Sequence, residues 1–583
     1  MPRGPRPVPP SATPDDAAPA LSRRGFLGAA AVATVAVAAT TAAGAPTVAL
    51  AAGTPAPAAP AVDPAALSWL VFDHHVHSVY SHDAKYAMTT ILDQAQRFGV
   101  DVIAFTEHSN KGHANVGGVF NAAREIDAAR VARPDLLVFQ GLEWYIPGAE
   151  HGTVLVAPGP GTTRVLRRFE LDHDGKLNGW EKPRPGTTDA ADWLRHAVDG
   201  VAWLGAQKAA GAIDDVVVLA NHPSRLGIDS PSELRAWQDA DPDVFVGMEG
   251  APGAQASALA ANSTDRSQRG EYENSPSEFS YPGYPAEAYR AHGGFDWQTA
   301  VVGGVWDSLL SEGRRWWITT NSDLHLKSFD ATRVGDFPTG PGWDAGATLA
   351  NFDRAGRRPD PVSTATPQGG SDLWPGEFSR THVGVAERSH RAVLDAVRAG
   401  RIWVDHGHLV SGLSVVLRAS SGTAGAAAGA AAAGAGAEEA SATLGGTLTV
   451  ARGTALELVV DVVPTTTRNS AGLLPRLAHL DVVRGVVTGP VADRDTMRAP
   501  GTRVVETLDV SDRSGAPFRV VVPLAPATES GYVRLRGSDG RVHGTGPFGA
   551  EVDPRAPQPH APGQGDPWQD TWLYANPIFV EVR

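Results

Sequence analysis

Along the first four hundred residues, short apolar runs recur, and nearly every one ends in a histidine or a carboxylate. Trp69-Leu70-Val71-Phe72 runs into Asp73-His74-His75-Val76-His77-Ser78, and residues 100–105 into Thr106-Glu107-His108. Residues 136–139 run into Gln140-Gly141-Leu142-Glu143, and His151 opens the run 153–156. The same holds for 216–220 into Asn221-His222-Pro223, 244–248 into Glu249, and 316–320 into Asn321-Ser322-Asp323-Leu324-His325. Bounded runs of this length predict buried strands. Between them the spacing changes: Met88, Ile91, Leu92, Ala95 and Phe98 recur at helical intervals with Gly99 placed as a C-cap, and 119–131 and 190–211 read as further helices. Continuous apolar strands alternating with helices predict a parallel sheet covered on both faces, closing as a barrel with its site at the carboxyl ends of the strands.

Residues 251–315, rich in Pro, Gly, Tyr and Trp, form an insertion that reads equally as a lid or substrate wall and as a surface loop. A helix over 390–399 stops at Gly400, and 402–404 is the candidate closing strand. Residues 419–442 are almost entirely Ala, Gly and Ser, a flexible linker. Beyond them, alternating runs at 447–450, 456–462, 504–510, 518–522, 532–535 and 578–582 predict an all-β module of sandwich type. The expected organisation is therefore a catalytic domain over 67–412, the linker 419–442 and a β-rich domain over 443–583.

The amino-terminal stretch adds a destination. Ser22-Arg23-Arg24-Gly25-Phe26-Leu27 precedes an Ala/Val/Gly run, and Ala49-Leu50-Ala51 offers a small-x-small cleavage site. Residues 1–51 thus read as a twin-arginine export signal, with the Tat translocon as a transient partner, followed by an Ala/Pro linker over 52–66. Left uncut, the run would serve as a membrane anchor. The 583 residues carry a net charge of -14 and no clustered basic run, which argues against a nucleic-acid partner and for a small-molecule substrate. Oligomeric state leaves no mark in the pattern. The absence of cysteine excludes disulfides and thiolate ligands, so any metal is held by nitrogen and oxygen.

His75 and His77 lie two apart on a strand and so share a face, whereas His74 points the other way. With Asp83, His108, Glu143, His151, His222, Asp323 and His325, the strand ends offer more donors than one ion uses. Two or three divalent ions, Zn, Mn or Fe, follow, with a carboxylate such as Glu143 as the bridge and water on the ions as the nucleophile. The catalytic centre is expected at Glu143, Asp323 and His222. Arg225, Lys85 and Lys327 are candidates to grip a phosphate, though each alone reads more readily as a solvated base. His74, His82 and His113 are expected beside the cluster without ligating, and His406 and His408 to be non-ligands.

Asp73-x-His75-x-His77-Ser78, Thr106-Glu107-His108, the Gly-x-Glu143 turn, His151, His222-Pro223 and Ser322-Asp323-x-His325 together resemble the successive metal motifs of the PHP (polymerase and histidinol phosphatase) superfamily, over roughly 68–410. The resemblance implies an α/β fold, a distorted (β/α)7 PHP barrel, here followed by the C-terminal β-sandwich-like domain, and a trinuclear site. It implies that His75, His77, Glu143 and Asp323 hold one ion, Asp83, His108 and His325 a second, and Glu143, His151 and His222 a third. The second motif departs from the commoner Thr-Asp-His. The wording Ser81-His82-Asp83-Ala84, the Trp-rich strand before Asp323 and the β-rich tail are similar to the branch of the carbaryl hydrolases (CehA/McbA-like metallohydrolases).

The leading expectation is an exported metal-dependent phosphoesterase acting on a small phosphomonoester or phosphodiester. One alternative is cleavage of a carbamate, ester or amide at the same metals; the other is a non-catalytic surface-binding protein stabilised by metal. The donor surplus stands against the last, since structural sites close with four donors.

Overall fold

The computed structural model describes residues 63–109, 117–259, 268–335, 357–420, 441–513, 515–560 and 565–583. The expected export signal, most of the Ala/Pro and Ala/Gly segments and His113 lie outside them.

Strands β1 (Ser68–Val76), β2 (Val102–Phe105), β3 (Leu137–Tyr145), β4 (His151–Val156), β5 (Val216–Ala220), β6 (Phe245–Ala251) and β7 (Trp317–Thr320) stand side by side in chain order. The neighbours β1-β2-β3 and β5-β6-β7 are parallel, but β4 runs antiparallel to both β3 and β5. The all-parallel expectation fails at β4 because only residues 146–150 separate it from β3, and a parallel partner needs a crossover of about a dozen residues. The reversal has a functional result. It brings His151, at the amino end of β4, to the rim where the other strands have their carboxyl ends.

Helices flank the sheet. Met88–Arg97 buries Met88, Ile91, Leu92 and Ala95, the face its spacing marks out. Pro231–Ala240 starts at Ser230, whose hydroxyl and the Glu233 carboxylate cap each other's backbone N–H groups, with Pro231 in the first turn. One apolar cluster fills the space between, from Phe72, Leu142, Val218 and Met248 on the strands to Leu166, Leu204, Trp237 and Leu309 on the helices.

Among the described residues no ladder joins β7 back to β1. The seam is spanned by a single bridge, Val76 to Leu324, and by side chains that stand in for a strand. Thr381 accepts from Thr320 N at 2.8 Å and donates to Thr320 O at 2.6 Å, while Asn576 accepts from Ile318 N at 2.9 Å. These satisfy backbone groups on the buried edge of β7 that pairs with no strand among the described residues.

β8 (Asp330–Arg333) and β9 (Val362–Gln368) form a hairpin beyond β7. β10 (Ser379–Val385) pairs antiparallel with the outer edge of β1, and β11 (Ile402–His406) pairs with β10. Among the described residues the expected closing strand at 402–404 forms no ladder with β7; it pairs on its other side with Trp572–Ala575, which carries the sheet into the carboxyl-terminal region.

That region comprises β12 (Val410–Ala419), β13 (Ser441–Thr443), β14 (Thr447–Val450), β15 (Thr454–Pro464), β16 (His479–Val486), β17 (Arg503–Asp509), β18 (Phe518–Ala527), β19 (Gly531–Ser538), β20 (Trp572–Ala575) and β21 (Ile578–Val582). β20, β19, β21 and β14 extend the main sheet from β11, and β13-β12-β15-β18 form a second sheet. Leu417, Leu458 and Val460 of the second sheet share an apolar cluster with Leu480, Leu535 and Val580 of the first. β12 and β13, which flank the Ala/Gly stretch in sequence, pair directly. A buried ion pair ties the halves together: Arg534 Nε and Nη2 donate to Asp307 at 2.9 and 2.7 Å.

Candidate metal centre

β1 delivers His75 and His77 to the rim with their Nε2 atoms 3.0 Å apart. Glu143, near the end of β3, sets Oε1 3.1 Å from His75 Nε2 and Oε2 3.3 Å from His77 Nε2. Asp323, just past β7, adds Oδ1 at 3.2 and 3.4 Å from the same two nitrogens. For ligand bonds of about 2.0 Å, a tetrahedron has an edge of about 3.3 Å, so these four side chains stand as one ion's ligands would. Asp323 has a φ of 46°, a left-handed conformation that a non-glycine residue holds only where its surroundings enforce it.

Two further sets radiate from Glu143. His108 Nδ1 lies 2.8 Å from Glu143 Oε2, and its Nε2 lies 3.1 Å from Asp83 Oδ2 and 3.3 Å from His325 Nε2. On the other side, His151 Nδ1 is 2.9 Å and His222 Nε2 3.4 Å from Glu143 Oε1. Glu150, which follows the β3–β4 turn, joins His151 and His222 as a third donor. Glu143 is thus the common member, and all nine ligands expected from the sequence meet at one rim.

The donors are aimed by partners behind them. Glu249, on β6, holds His75 Nδ1 at 2.7 Å and accepts His222 N at 2.7 Å. Ser81 Oγ meets His77 Nδ1 at 2.9 Å and donates to Glu107 Oε2 at 2.5 Å. Glu107 also accepts from Ser78, so the glutamate that departs from Thr-Asp-His buttresses the loop and takes no place among the donors. Such contacts fix ring orientation and tautomer at metal sites. His74 turns away to Thr319 Oγ1 at 2.8 Å, and His82 lies beside Asp83 and His108. His406 packs between Phe295 and Phe378, and His408 bonds to Gly376 O, both apart from the cluster.

Carboxylates and imidazoles in the cluster shift one another. Burial disfavours ionisation of Glu143 and Asp323, yet the imidazoles around them, His151 and His75 foremost, hold both carboxyls well below the usual range. Burial also opposes charge on His108, but Asp83 and Glu143 push it up to about 10, whereas burial lowers His151 to about 4. Several donor atoms are buried without a hydrogen-bond partner, among them Glu143 Oε2, Asp323 Oδ1, Asp83 Oδ1 and both ring nitrogens of His222. Buried polar atoms are normally paired, and divalent ions bound by N and O donors fit these.

A cleft of about 350 Å³ opens over the cluster, walled by Tyr145, Lys176, Glu181, Lys182, Arg225 and Tyr272. Arg225 donates to Glu150 Oε2 at 3.2 Å. Lys85 and Lys327 do not reach this wall. Lys85 is buried against Asp330 at 2.9 Å, and Lys327 lies 3.6 Å from Glu377, because acids distant in sequence neutralise them. Lys176, Lys182, Tyr272, Glu150 and Glu249 are additions to the expected site. Only Glu249 ends an apolar run and carries the signal that marked the others.

The mixed α/β sheet thus gathers imidazoles and carboxylates around one central glutamate, the nitrogen and oxygen donors that a divalent ion takes. Residues 73–240 match the family model of the PHP domain. No curated protein matches the chain. Similar solved structures include a two-domain protein of Bacteroides vulgatus for which a PHP-like metal-dependent phosphoesterase is predicted, 12% identical, with 87% of this chain and 98% of that one covered and a TM-score of 0.26. Another is a protein of Bifidobacterium adolescentis provisionally called a metal-dependent phosphoesterase, 16% identical, with 31% and 77% covered and a TM-score of 0.17.

Proposed function

We propose that the protein is an exported phosphoesterase that hydrolyses a small phosphomonoester or phosphodiester with two or three divalent ions, Zn, Mn or Fe, held on a distorted (β/α)7 barrel. The observation that carries this reading is the convergence of three donor sets on Glu143 beneath a cleft whose wall bears Arg225, Lys176 and Lys182 against Glu181 and Glu271. Arg225, Lys176 and Lys182 on that wall could meet the oxygens of an anionic substrate. Export rests on the Arg23-Arg24 stretch and the small-x-small site after it.

When bound, divalent ions supply Lewis acidity toward a phosphoryl oxygen and lower the pKa of water. His75, His77, Glu143 and Asp323 would hold one, Asp83, His108 and His325 a second, and Glu143, His151 and His222 a third, with Glu150 beside them. Arg225, anchored through Nη1 to Glu150, keeps its other guanidinium donors for the phosphoryl oxygens. Lys176 donates to the Tyr145 hydroxyl at 3.2 Å and lies 4.5 Å over its ring, so both reach the cleft as one unit. Glu249 and Ser81 keep the rings of His75 and His77 from turning.

The test is hydrolysis of p-nitrophenyl phosphate, bis-p-nitrophenyl phosphate and a naphthyl carbamate, each with and without chelator. Chelator-sensitive release from a phosphoester is the expected result. Carbamate turnover without phosphoester turnover would overturn it.

A further inference from the structure

Residues 251–315 leave the sheet after β6 and return to it at β7, and one side chain from this insertion touches ligands of two different donor sets. The Tyr272 hydroxyl donates to Asp323 Oδ2. That leaves Oδ1 as the atom facing His75 and His77. The Tyr272 ring lies 4.5 Å from the ring of His222, tilted 34° to it, and the guanidinium of Arg225 stands 5.1 Å over the same phenol. One residue thus borders Asp323, His222 and the substrate-facing arginine.

The turn that presents Tyr272 is itself braced. Glu271 N donates to Ala254 O at 3.1 Å, and Ala254 N donates to Ser322 O at 3.1 Å, so the turn is hung from the backbone beside Asp323. On the other side, the Glu273 carboxylate accepts Arg269 N at 2.6 Å and Ala291 N at 2.9 Å. A side chain held this way is presented to its ligand before any ion arrives, and such pre-positioned outer contacts govern how firmly a metal is kept.

We propose that Tyr272 is a positioning residue that straps the metal cluster: its hydroxyl fixes Asp323 as a one-oxygen ligand and its ring holds His222, so the insertion sets the rate at which ions leave. The inference rests on the metal reading of the cluster. The hydroxyl and the ring act on separate ions, Asp323 on the set with His75 and His77, and His222 on the set with His151.

The experiment loads the full chain with zinc, dilutes it into an excess of a chromogenic chelator and follows release by absorbance, for the wild type, Tyr272→Phe and Tyr272→Leu. Tyr272→Phe is expected to release one ion about tenfold faster or more, and Tyr272→Leu to hasten a second as well, since losing such outer contacts costs about 10–100-fold in metal affinity. The melting temperatures of the three metal-free proteins are expected to coincide, which a general structural role would not allow. Equal release rates from wild type and Tyr272→Phe overturn the strap and leave the metal reading standing. A Tyr272→Phe protein whose metal-free form melts lower in proportion to its faster release also overturns it. A wild type that takes up no zinc overturns both together.

Discussion

Gly253→Ala is the substitution that tests the site through the backbone alone. Gly253 lies directly on the turn after β7: a Cβ there would sit 2.3 Å from Asp323 Cβ and 2.4 Å from the carbonyl carbon and oxygen of Ser322. Ordinary contact begins near 3.4 Å, so about 1 Å of movement is required, and it falls on main chain that has no rotamer to change. Asp323 already holds a strained φ, which makes its turn the part that yields. Overpacking of this kind costs about 1–3 kcal/mol of stability. Function falls as well, because a displacement of about 1 Å in a reacting constellation costs about 100-fold in rate. The assay is kcat/KM for bis-p-nitrophenyl phosphate with bound metal measured on the same sample. Gly270→Ala is the control, since a Cβ there meets only Ala254 O at 3.5 Å and Gln255 Nε2 at 3.9 Å. Activity and metal content within twofold of wild type in Gly253→Ala, with the protein folded, would refute the placement of Asp323 at the centre.

Glu249→Gln removes the charge behind His75 Nδ1 while keeping the shape, and metal affinity is expected to fall about 10–100-fold by competition with a chromogenic chelator; unchanged affinity would discount this glutamate. In the carboxyl-terminal region, burial alone would raise Asp481, but Arg536 and His479 hold its carboxyl at about 2 against an ordinary 3.8. A depressed carboxyl contributes stability above its unfolded pKa and loses it as pH falls through the folded one. About 2 kcal/mol is therefore expected to disappear between pH ~4 and ~2, measured by denaturant titration, and Asp481→Asn should flatten that limb.

Most of the nine donors are legible because they lie at or soon after the end of an apolar run or open one, a pattern that survives without any knowledge of the partners; Asp83, in the loop seven residues past Val76, carries no such mark. Glu249 follows the run 244–248 in the same way, and its carboxylate supports His75 from behind. Tyr272 had no such mark: it lies in an insertion with neither period, and only the folded chain shows it at Asp323. Lys85 and Lys327 fail for the converse reason. Proximity to the motifs along the chain says nothing of Asp330, 245 positions beyond Lys85, which takes its charge. The reversal of β4 was written in the short connection 146–150, a constraint of chain length that strand content alone does not express. The seam of the sheet depends on Thr381 and Asn576, side chains acting as backbone, which no alternation of apolar positions encodes.

Stripping the protein with chelator and titrating manganese or zinc back, with bound metal and phosphodiester hydrolysis followed together, bears most directly on the cluster around Glu143. Activity should be absent in the stripped protein and return as the chain takes up two or three ions. Undiminished hydrolysis by protein shown to hold no metal would contradict the account.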